Sequence, residues 1–250
     1  MSDESELTAP SKALFMLEGL RSAFEFGLIG PSWPLLRAAP RGDGHAVMVM
    51  PGMATSDVST VALRLFLRER GYAVYGWGAG RNVGSTAIIE TLRRRLTMLR
   101  RKHDVTVSLI GISLGGVYAR ELAKLAPELV RCVITLASPF KGPHRASNVF
   151  RLYEFLSGRK ATELPDDAFA HPPPLPTTAI YTRSDGIVAW QRCVENAGPR
   201  SESIEVIGSH SGLGHNALAL YVVADRLAQP EGRWQAFRPP AALRRLYRIP

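Results

Sequence analysis

Gly111-Ile112-Ser113-Leu114-Gly115 is the segment of this sequence best suited to covalent chemistry. It lies between an apolar run at 105–110 and a helical pattern at 114–125. A serine hydroxyl becomes a nucleophile only where it is exposed beside a base. A sharp strand-to-helix turn lifts the serine out of a sheet, and crowding at that turn requires small residues two positions before and after it. The pattern therefore predicts Ser113 as a nucleophile, and a tight glycine turn with an incidental serine is the alternative.

Residues 111–116, with the strand before and the helix after them, resemble the nucleophile elbow of α/β-hydrolases, especially the small bacterial lipases and carboxylesterases. The resemblance extends over about residues 45–227. It implies a triad in the chain order serine, acid, histidine, and an oxyanion hole made of two backbone N–H groups.

Asp185 matches the acid that this resemblance implies. It follows a predicted strand at 178–181, and Tyr181-x-x-x-Asp185-Gly186-x-Val188 resembles the lipase segment that carries the triad aspartate. Such an aspartate accepts the Nδ1 proton of the histidine and fixes its tautomer. A turn aspartate is the alternative, because Asp-Gly is a common turn pair. Asp166 and Asp167 are weaker candidates, since no predicted strand precedes them.

Two histidines compete for the role of base, because His210 and His215 lie in one loop after the last predicted strand of the alternating pattern, 204–207. His210 is nearer to the end of that strand, and its His-Ser-Gly-Leu context resembles the His-x-Gly-Leu of small lipases. His215 precedes Asn216, which is suited to cap the final helix. We therefore favour His210 as the base and keep His215 as the alternative.

The oxyanion hole that the resemblance implies would use the N–H groups of Leu114 and Met53. Leu114 follows the nucleophile, and Met53 lies in the loop after the first predicted strand of the pattern, where Pro51-Gly52-Met53 resembles the His-Gly-x segment of lipases. Pro51 stands where many relatives carry histidine, which puts the shape of this loop in question.

Strand and helix patterns alternate from His45 onward, and they would position these residues. The strands, nearly all apolar, predict a parallel sheet covered on both faces, an α/β/α three-layer sandwich of the α/β-hydrolase type with a mostly parallel sheet. Ligands bind beyond the carboxyl ends of such strands. The predicted strands are 46–50, 72–77, 105–110, 130–137, 178–181 and 204–207, and the predicted helices are 57–70, 85–103, 114–125 and 217–227.

The helices at 57–70 and 85–103 each show an apolar stripe that we expect to face the core. Asp57 is the expected cap of the first helix. The inward residues are predicted to be Val58, Val61, Ala62 and Leu65 in the first helix and Ile88, Leu92, Leu96 and Leu99 in the second.

We expect residues 1–250 to form a single α/β-hydrolase domain with three additions. Residues 1–44 contain an N-terminal helix at 13–29 and a lead-in, 143–176 form a short lid or cap insertion, and 229–250 form a basic C-terminal tail. The N-terminal helix carries an apolar stripe, which we expect to pack on the protein's own body; a membrane surface or a partner is the alternative. The stripe comprises Leu14, Leu17, Leu20, Phe24 and Leu28.

The charge balance, formally +9, raises the question of an anionic partner. Zinc-finger spacing, basic heptads and aromatic residues interleaved with Lys and Arg are all missing, so we expect no nucleic-acid partner. Arginines on exposed helix faces that keep the protein soluble are the simpler explanation. Peripheral membrane contact through the N-terminal helix and the basic tail is a lesser alternative.

Cys132 and Cys193 are too few for a disulfide framework or a cysteine-based metal site, and the expected chemistry needs neither metal nor cofactor. The acidic start, residues 1–6, leads into no secretory segment, and no apolar run is long enough to span a bilayer. The sequence therefore favours a cytoplasmic protein. It does not define the oligomeric state.

The expected function is hydrolysis of small-molecule carboxylic esters with small to medium acyl groups, because the insertion at 143–176 is short. Thioesterases and amidases use the same triad, so both remain alternatives. A binding protein that has the hydrolase fold but has lost catalysis is an alternative of another class.

Overall fold

A computed structural model describes residues 7–158, 160, 165–196 and 198–249. The acidic start at 1–6 and part of the expected lid lie outside these residues. The helices are α1 Lys12–Gly27, α2 Trp33–Ala38, α3 Val61–Glu69, α4 Ile88–His103, α5 Leu114–Leu125, α6 Phe150–Ser157 and α7 Ala217–Leu227. The strands are β1 Ala46–Met50, β2 Ala73–Gly76, β3 Val107–Ile112, β4 Val130–Leu136, β5 Thr177–Tyr181, β6 Ser201–Val206 and β7 Tyr247–Arg248.

The strands form one sheet in the order β2-β1-β3-β4-β5-β6-β7, parallel except for β7. Side chains alternate between its two faces. On β1, Val47 and Val49 pack in one cluster with residues of α2, α3 and α7, whereas Met48 and Met50 pack on the other face with residues of α4 and α5. The predicted three-layer α/β/α sandwich with a mostly parallel sheet is confirmed.

The prediction for the inner face of the 57–70 helix was wrong. The chain forms a 3-10 turn at Asp57–Thr60 before α3, and Leu63, Phe66 and Leu67 are the residues that α3 buries. Val58, Val61 and Leu65 are exposed. α3 carries apolar residues on two faces, and periodicity alone does not show which face packs on the sheet.

Asp57 is not a helix cap either. Its carboxylate accepts hydrogen bonds from the N–H groups of Trp77 at 2.9 Å and Gly78 at 3.0 Å, and so holds the loop that leaves β2. Asn216 does cap α7, since its side chain accepts from the N–H groups of Leu218 and Ala219.

The apolar stripe of α1 faces outward, contrary to expectation. Leu17, Leu20 and Phe24 are 47%, 69% and 67% exposed, while Glu18 between them is only 4% exposed. The side of α1 that meets the protein is polar because its neighbours are backbone groups of two loops, which require hydrogen-bonding partners.

The C-terminal segment is partly built into the fold. Its end forms β7, in which Tyr247 is buried and donates a hydrogen bond through its hydroxyl to the carbonyl of Leu218. Phe237 packs edge-to-face on Tyr247. Across the described ranges, no helix combines the length and apolar character that crossing a membrane would require.

Candidate active site

Ser113 lies at the turn between β3 and α5, with φ of 51° and ψ of −123°. This region is costly for a residue with a side chain, and a sharp strand-to-helix turn at a nucleophile uses it. A Cβ on Gly111 would lie 2.3 Å from Gly115, and a Cβ on Gly115 would lie 2.4 Å from the carbonyl oxygen of Met50. Glycine is therefore required at both positions for β1, β3 and α5 to meet this closely.

Asp185 follows β5, at the carboxyl edge of the sheet, and is buried. Its Oδ1 accepts hydrogen bonds from the N–H groups of Ile187 and Val188, both at 2.8 Å. These bonds fix the carboxylate, and its second oxygen, Oδ2, lies 2.7 Å from Nδ1 of His210.

His210 follows β6 and bridges the other two side chains. Its Nε2 lies 3.0 Å from Oγ of Ser113, and its Nδ1 faces Asp185. An ionised carboxylate can only accept, so we assign the imidazole proton to Nδ1. Nε2 is then the acceptor for the serine hydroxyl. The arrangement can transfer the serine proton to the imidazole while the serine oxygen attacks an electrophile.

The pKa of His210 reflects this environment. Burial alone would lower the pKa of the imidazole below its ordinary value of 6.5, but the charge and hydrogen bond of Asp185 and the charge of Glu18 outweigh it, so the pKa is raised. The carboxylates therefore favour the imidazolium that would form when the serine gives up its proton.

His215, the alternative base, is directed elsewhere. Its Nε2 lies 2.9 Å from the carbonyl oxygen of Ser22 in α1, and its ring packs edge-to-face on Phe26. Asp166 and Asp167 are exposed in the segment between α6 and β5. The structure thus places His210, rather than His215, next to Ser113, and Asp185, rather than Asp166 or Asp167, next to His210.

The loop after β1 lies against Ser113, since a Cβ on Gly52 would be 3.4 Å from the serine Cβ. Met53 and Leu114, the expected oxyanion donors, both border the same cavity as Ser113.

Asn82 braces this loop, and the sequence analysis did not identify it. Its side-chain N–H donates to the carbonyl of Pro51 at 2.9 Å, and its backbone exchanges hydrogen bonds of 2.8 Å with Ala54 and Thr55. The loop thereby has a defined shape although Pro51 replaces the usual histidine. In the sequence, Asn82 is a lone asparagine in a glycine-rich run, which is only a weak signal of this role.

Two cavities meet at Ser113, Met53 and Val149. One is small, about 130 Å³, and is bordered by Val117, Tyr118, Phe150 and Tyr153. The other is a large groove of about 1070 Å³ whose apolar walls come from α1, α2, α3, α6 and α7, and it contains His210 as well as Ser113. Its walls include Phe26, Trp33, Val61, Leu65 and Leu152.

The exposed apolar face of α3 is thus part of a wall of the groove. Residues of the expected lid border both cavities, with Phe150 and Tyr153 at the small one and Leu152 at the groove. Among the described residues, no cluster of three or more His, Cys, Asp or Glu is arranged to hold a metal ion.

Three polar residues of α1, namely Glu18, Arg21 and Glu25, contact the loops after β5 and β6. These contacts were not predicted from the sequence. The three residues recur at helical spacing, together with Ser22, on a side of α1 distinct from the apolar stripe, and this periodicity was the available signal.

Neither a protein-family model nor a curated protein matches this sequence. Many solved structures do share its fold. Aspergillus fumigatus lipase B superimposes with a TM-score of 0.59 at 16% identity, over 78% of this chain and 55% of the lipase, so the chain spans little more than half of that protein. Monoacylglycerol lipase of Paleococcus ferrophilus gives 0.52 at 15% identity, over 75% of this chain and 96% of the lipase.

The pyrethroid hydrolase PytH gives a TM-score of 0.50 at 17% identity, over 74% of this chain and 99% of the hydrolase. At such identities the likeness concerns the architecture. The sheet order, the turn at Ser113 and these superpositions together lead to one conclusion: the chain has the α/β-hydrolase fold.

Proposed function

We propose that this protein is a serine hydrolase that cleaves carboxylic esters, with Ser113 as nucleophile, His210 as base and Asp185 as the acid that orients it. The observation that carries the proposal is the hydrogen-bonded line from Asp185 through His210 to Ser113, with separations of 2.7 and 3.0 Å. Side chains 25 and 97 positions apart in the chain form this line, and it opens into an apolar groove.

In the first half of the reaction, Ser113 Oγ attacks the ester carbonyl carbon and passes its proton to Nε2 of His210. The carbonyl π electrons move to the oxygen, and the N–H groups of Met53 and Leu114 stabilise that oxyanion. When the oxyanion collapses, the ester C–O bond breaks, and His210 returns the proton to the departing alkoxide, which leaves as an alcohol. An acyl group remains on Ser113.

In the second half, water attacks the acyl carbon while His210 takes a proton from it. The second oxyanion collapses, the bond to Oγ breaks, and His210 gives the proton back to Ser113. The products are one alcohol and one carboxylic acid for each ester and water consumed. Asp185 keeps its charge and stabilises the imidazolium in both halves.

The two cavities support an ester whose two sides differ in size. The small cavity suits a short group, while the groove, with walls from five helices, suits a longer apolar group than the short lid alone led us to expect. The structural neighbours named above, two lipases and a pyrethroid hydrolase, are compatible with an apolar substrate.

The test is turnover of p-nitrophenyl esters of increasing acyl length by the wild type, Ser113→Ala and Ser138→Ala. Ser138 is a matched control because it follows β4 as Ser113 follows β3, but its hydroxyl is buried against the backbone carbonyls of Gly111 and Leu136. We expect Ser113→Ala to lower kcat/KM by about 10³-fold or more and Ser138→Ala to change it only a few-fold.

Equal turnover by the wild type and Ser113→Ala would refute the proposal. Faster acylation by matched thioesters or amides would keep the triad and change the substrate class. A wild-type protein that binds esters without cleaving them, and whose Ser113 is not labelled by a fluorophosphonate, would instead be a binding protein.

A further inference from the structure

Helix α1 meets the rest of the protein through a row of polar side chains. Glu18 is almost fully buried, although its neighbours along the chain, Leu17 and Leu20, are exposed. Burial of a carboxylate is costly unless hydrogen bonds compensate it. The contacts of Glu18 therefore indicate why the helix adopts this orientation.

The Glu18 carboxylate joins the two loops that carry the proposed acid and base. Its Oε1 accepts from the N–H of Gly186 at 2.7 Å and from the N–H of His210 at 3.3 Å. Its Oε2 accepts from the N–H of Ser211 at 3.3 Å. One side chain thus links the backbone directly after Asp185 to the backbone of His210 itself.

Arg21, one turn further along α1, makes a similar bridge, and Glu25, two turns along, contacts only the loop after β6. Arg21 donates to the carbonyl of Ser184 at 2.7 Å and to the carbonyl of Gly208 at 2.5 Å. Glu25 accepts from the N–H of Ser209 at 2.7 Å. The polar face of α1 therefore contacts both loops, and Glu18 is the member that reaches the residues of the site.

Gly186 leaves the room that α1 needs. A Cβ at this position would lie 2.6 Å from the carbonyl oxygen of Leu14 and 2.8 Å from the side chain of Glu18. Any larger residue would push the helix away from the loop. The glycine after Asp185 thus serves the approach of α1 as well as the local turn.

Glu18 is also the second negative charge close to His210. Its charge raises the pKa of the imidazole, in addition to the larger effect of Asp185 and against the effect of burial. Arg21 lies 3.5 Å from Glu18 and moderates that charge. The charged groups that act on the His210 imidazole are Asp185 and Glu18. Arg21 pairs with Glu18, Glu25 contacts the N–H of the preceding Ser209, and His215, in the same loop, faces Ser22 of α1.

We infer that Glu18 is a positioning residue for the triad: its buried carboxylate holds the loops of Asp185 and His210 in register and directs His210 toward Ser113. This inference rests on the proposed function. Glu18 contacts backbone groups of the site and takes no part in bond breaking. A misplacement of the base by about 1 Å can cost about 10²-fold in rate, so a residue that fixes two loops at once has a large effect on kcat.

The experiment compares the wild type with Glu18→Gln, Glu18→Ala and the control Glu90→Gln. Gln keeps an acceptor oxygen for Gly186 and His210 and removes the charge, whereas Ala removes both. Glu90 is a matched control because it is also a helical glutamate with arginine partners, and it is exposed on α4. The readouts are kcat and KM against pH on the best p-nitrophenyl ester, and the imidazole titration of His210 followed by NMR.

We expect Glu18→Ala to lower kcat about 10- to 100-fold with KM changed less than threefold. In Glu18→Gln we expect most of kcat to be retained, while the acid limb of kcat/KM and the NMR titration of His210 both move to lower pH. Glu90→Gln should leave both unchanged.

The inference is overturned if Glu18→Gln and Glu18→Ala keep the kcat and the His210 titration of the wild type. A Glu18→Ala protein that fails to fold leaves the test with Glu18→Gln, whose unchanged titration would have the same meaning. An inactive wild type, or a Ser113→Ala variant as active as the wild type, would refute the esterase proposal; the NMR titration would still decide whether Glu18 acts on His210.

Discussion

Helices α1 and α4 are both 16 residues long and both amphipathic, yet α4 buries its apolar face and α1 buries its polar face. In α4, Leu92 and Leu96 are fully buried, and Arg93 and Arg94 point to solvent. In α1 the carboxylate of Glu18 is buried, and apolar residues such as Leu20 are exposed.

The difference lies in what each helix covers. The sheet face beneath α4 presents apolar side chains, so burial of leucines removes apolar area from water on both sides of the contact. The loops beneath α1 present backbone N–H and C=O groups, which must be paired when buried. Periodicity defines two faces of a helix, and the chemistry of the neighbouring surface decides which face is inside.

Among substitutions in the two helices, Leu96→Ala in α4 should have the largest effect on the free energy of unfolding. Removing a fully buried leucine is expected to lower the free energy of unfolding by about 2–5 kcal/mol through lost burial and the cavity left behind. Urea denaturation followed by circular dichroism measures it. The folded variant should retain the wild-type kcat; a loss of kcat without a loss of stability would contradict the contrast with α1.

The next effect concerns pH. Because the pKa of His210 is raised above 6.5, kcat/KM should fall about tenfold for each pH unit below that raised pKa, as the base becomes protonated. The stability of the fold changes with pH in the opposite direction. The protonated imidazole stabilises the folded state fully below pH 6.5, and this contribution is lost as pH rises through the raised pKa.

A pH–rate profile of the wild type, with a parallel denaturation series, measures both. An acid limb below pH 6.5 would show that the carboxylates beside His210 do not outweigh its burial.

The smallest effect is expected on the outer face of α1. Leu20→Ser should change the free energy of unfolding by no more than about 0.5 kcal/mol, because this side chain is already exposed. Leu92→Ser in α4 is the matched comparison and should be strongly destabilising. If Leu20→Ser were as damaging as Leu92→Ser, the outward orientation of the α1 stripe would be wrong.

The parts of the molecule that could be predicted from sequence depend on local rules. The turn at Ser113 is required by Gly111 and Gly115 beside a buried strand, and strand ends of a parallel sheet meet at one edge. Within that edge, the resemblance of the segments around Asp185 and His210 to those of small lipases predicted these two residues as partners of Ser113.

The parts that could not be predicted depend on contacts between segments distant in the chain. Nothing near Glu18 indicates that its partners are the N–H groups of Gly186 and His210, 168 and 192 positions away. The pairing of β7 with β6 was missed for a similar reason. The C-terminal segment is rich in arginine, and its sequence does not show that Tyr247 is buried. The orientation of α3 was missed because both of its faces carry apolar residues, and only the sheet beneath it decides between them.

Because α1 contacts the protein through polar groups, the site can be disturbed without unfolding of the core. Within the described residues, no side chain of α1 belongs to a hydrophobic core cluster, so its detachment would leave the clusters on both faces of the sheet intact. Such a subglobal opening needs less free energy than melting the sheet. The amides of Gly186 and His210 would then exchange with solvent in molecules whose β-sheet stays protected, and at moderate denaturant the three side chains of the site would lose their alignment before the sheet unfolds.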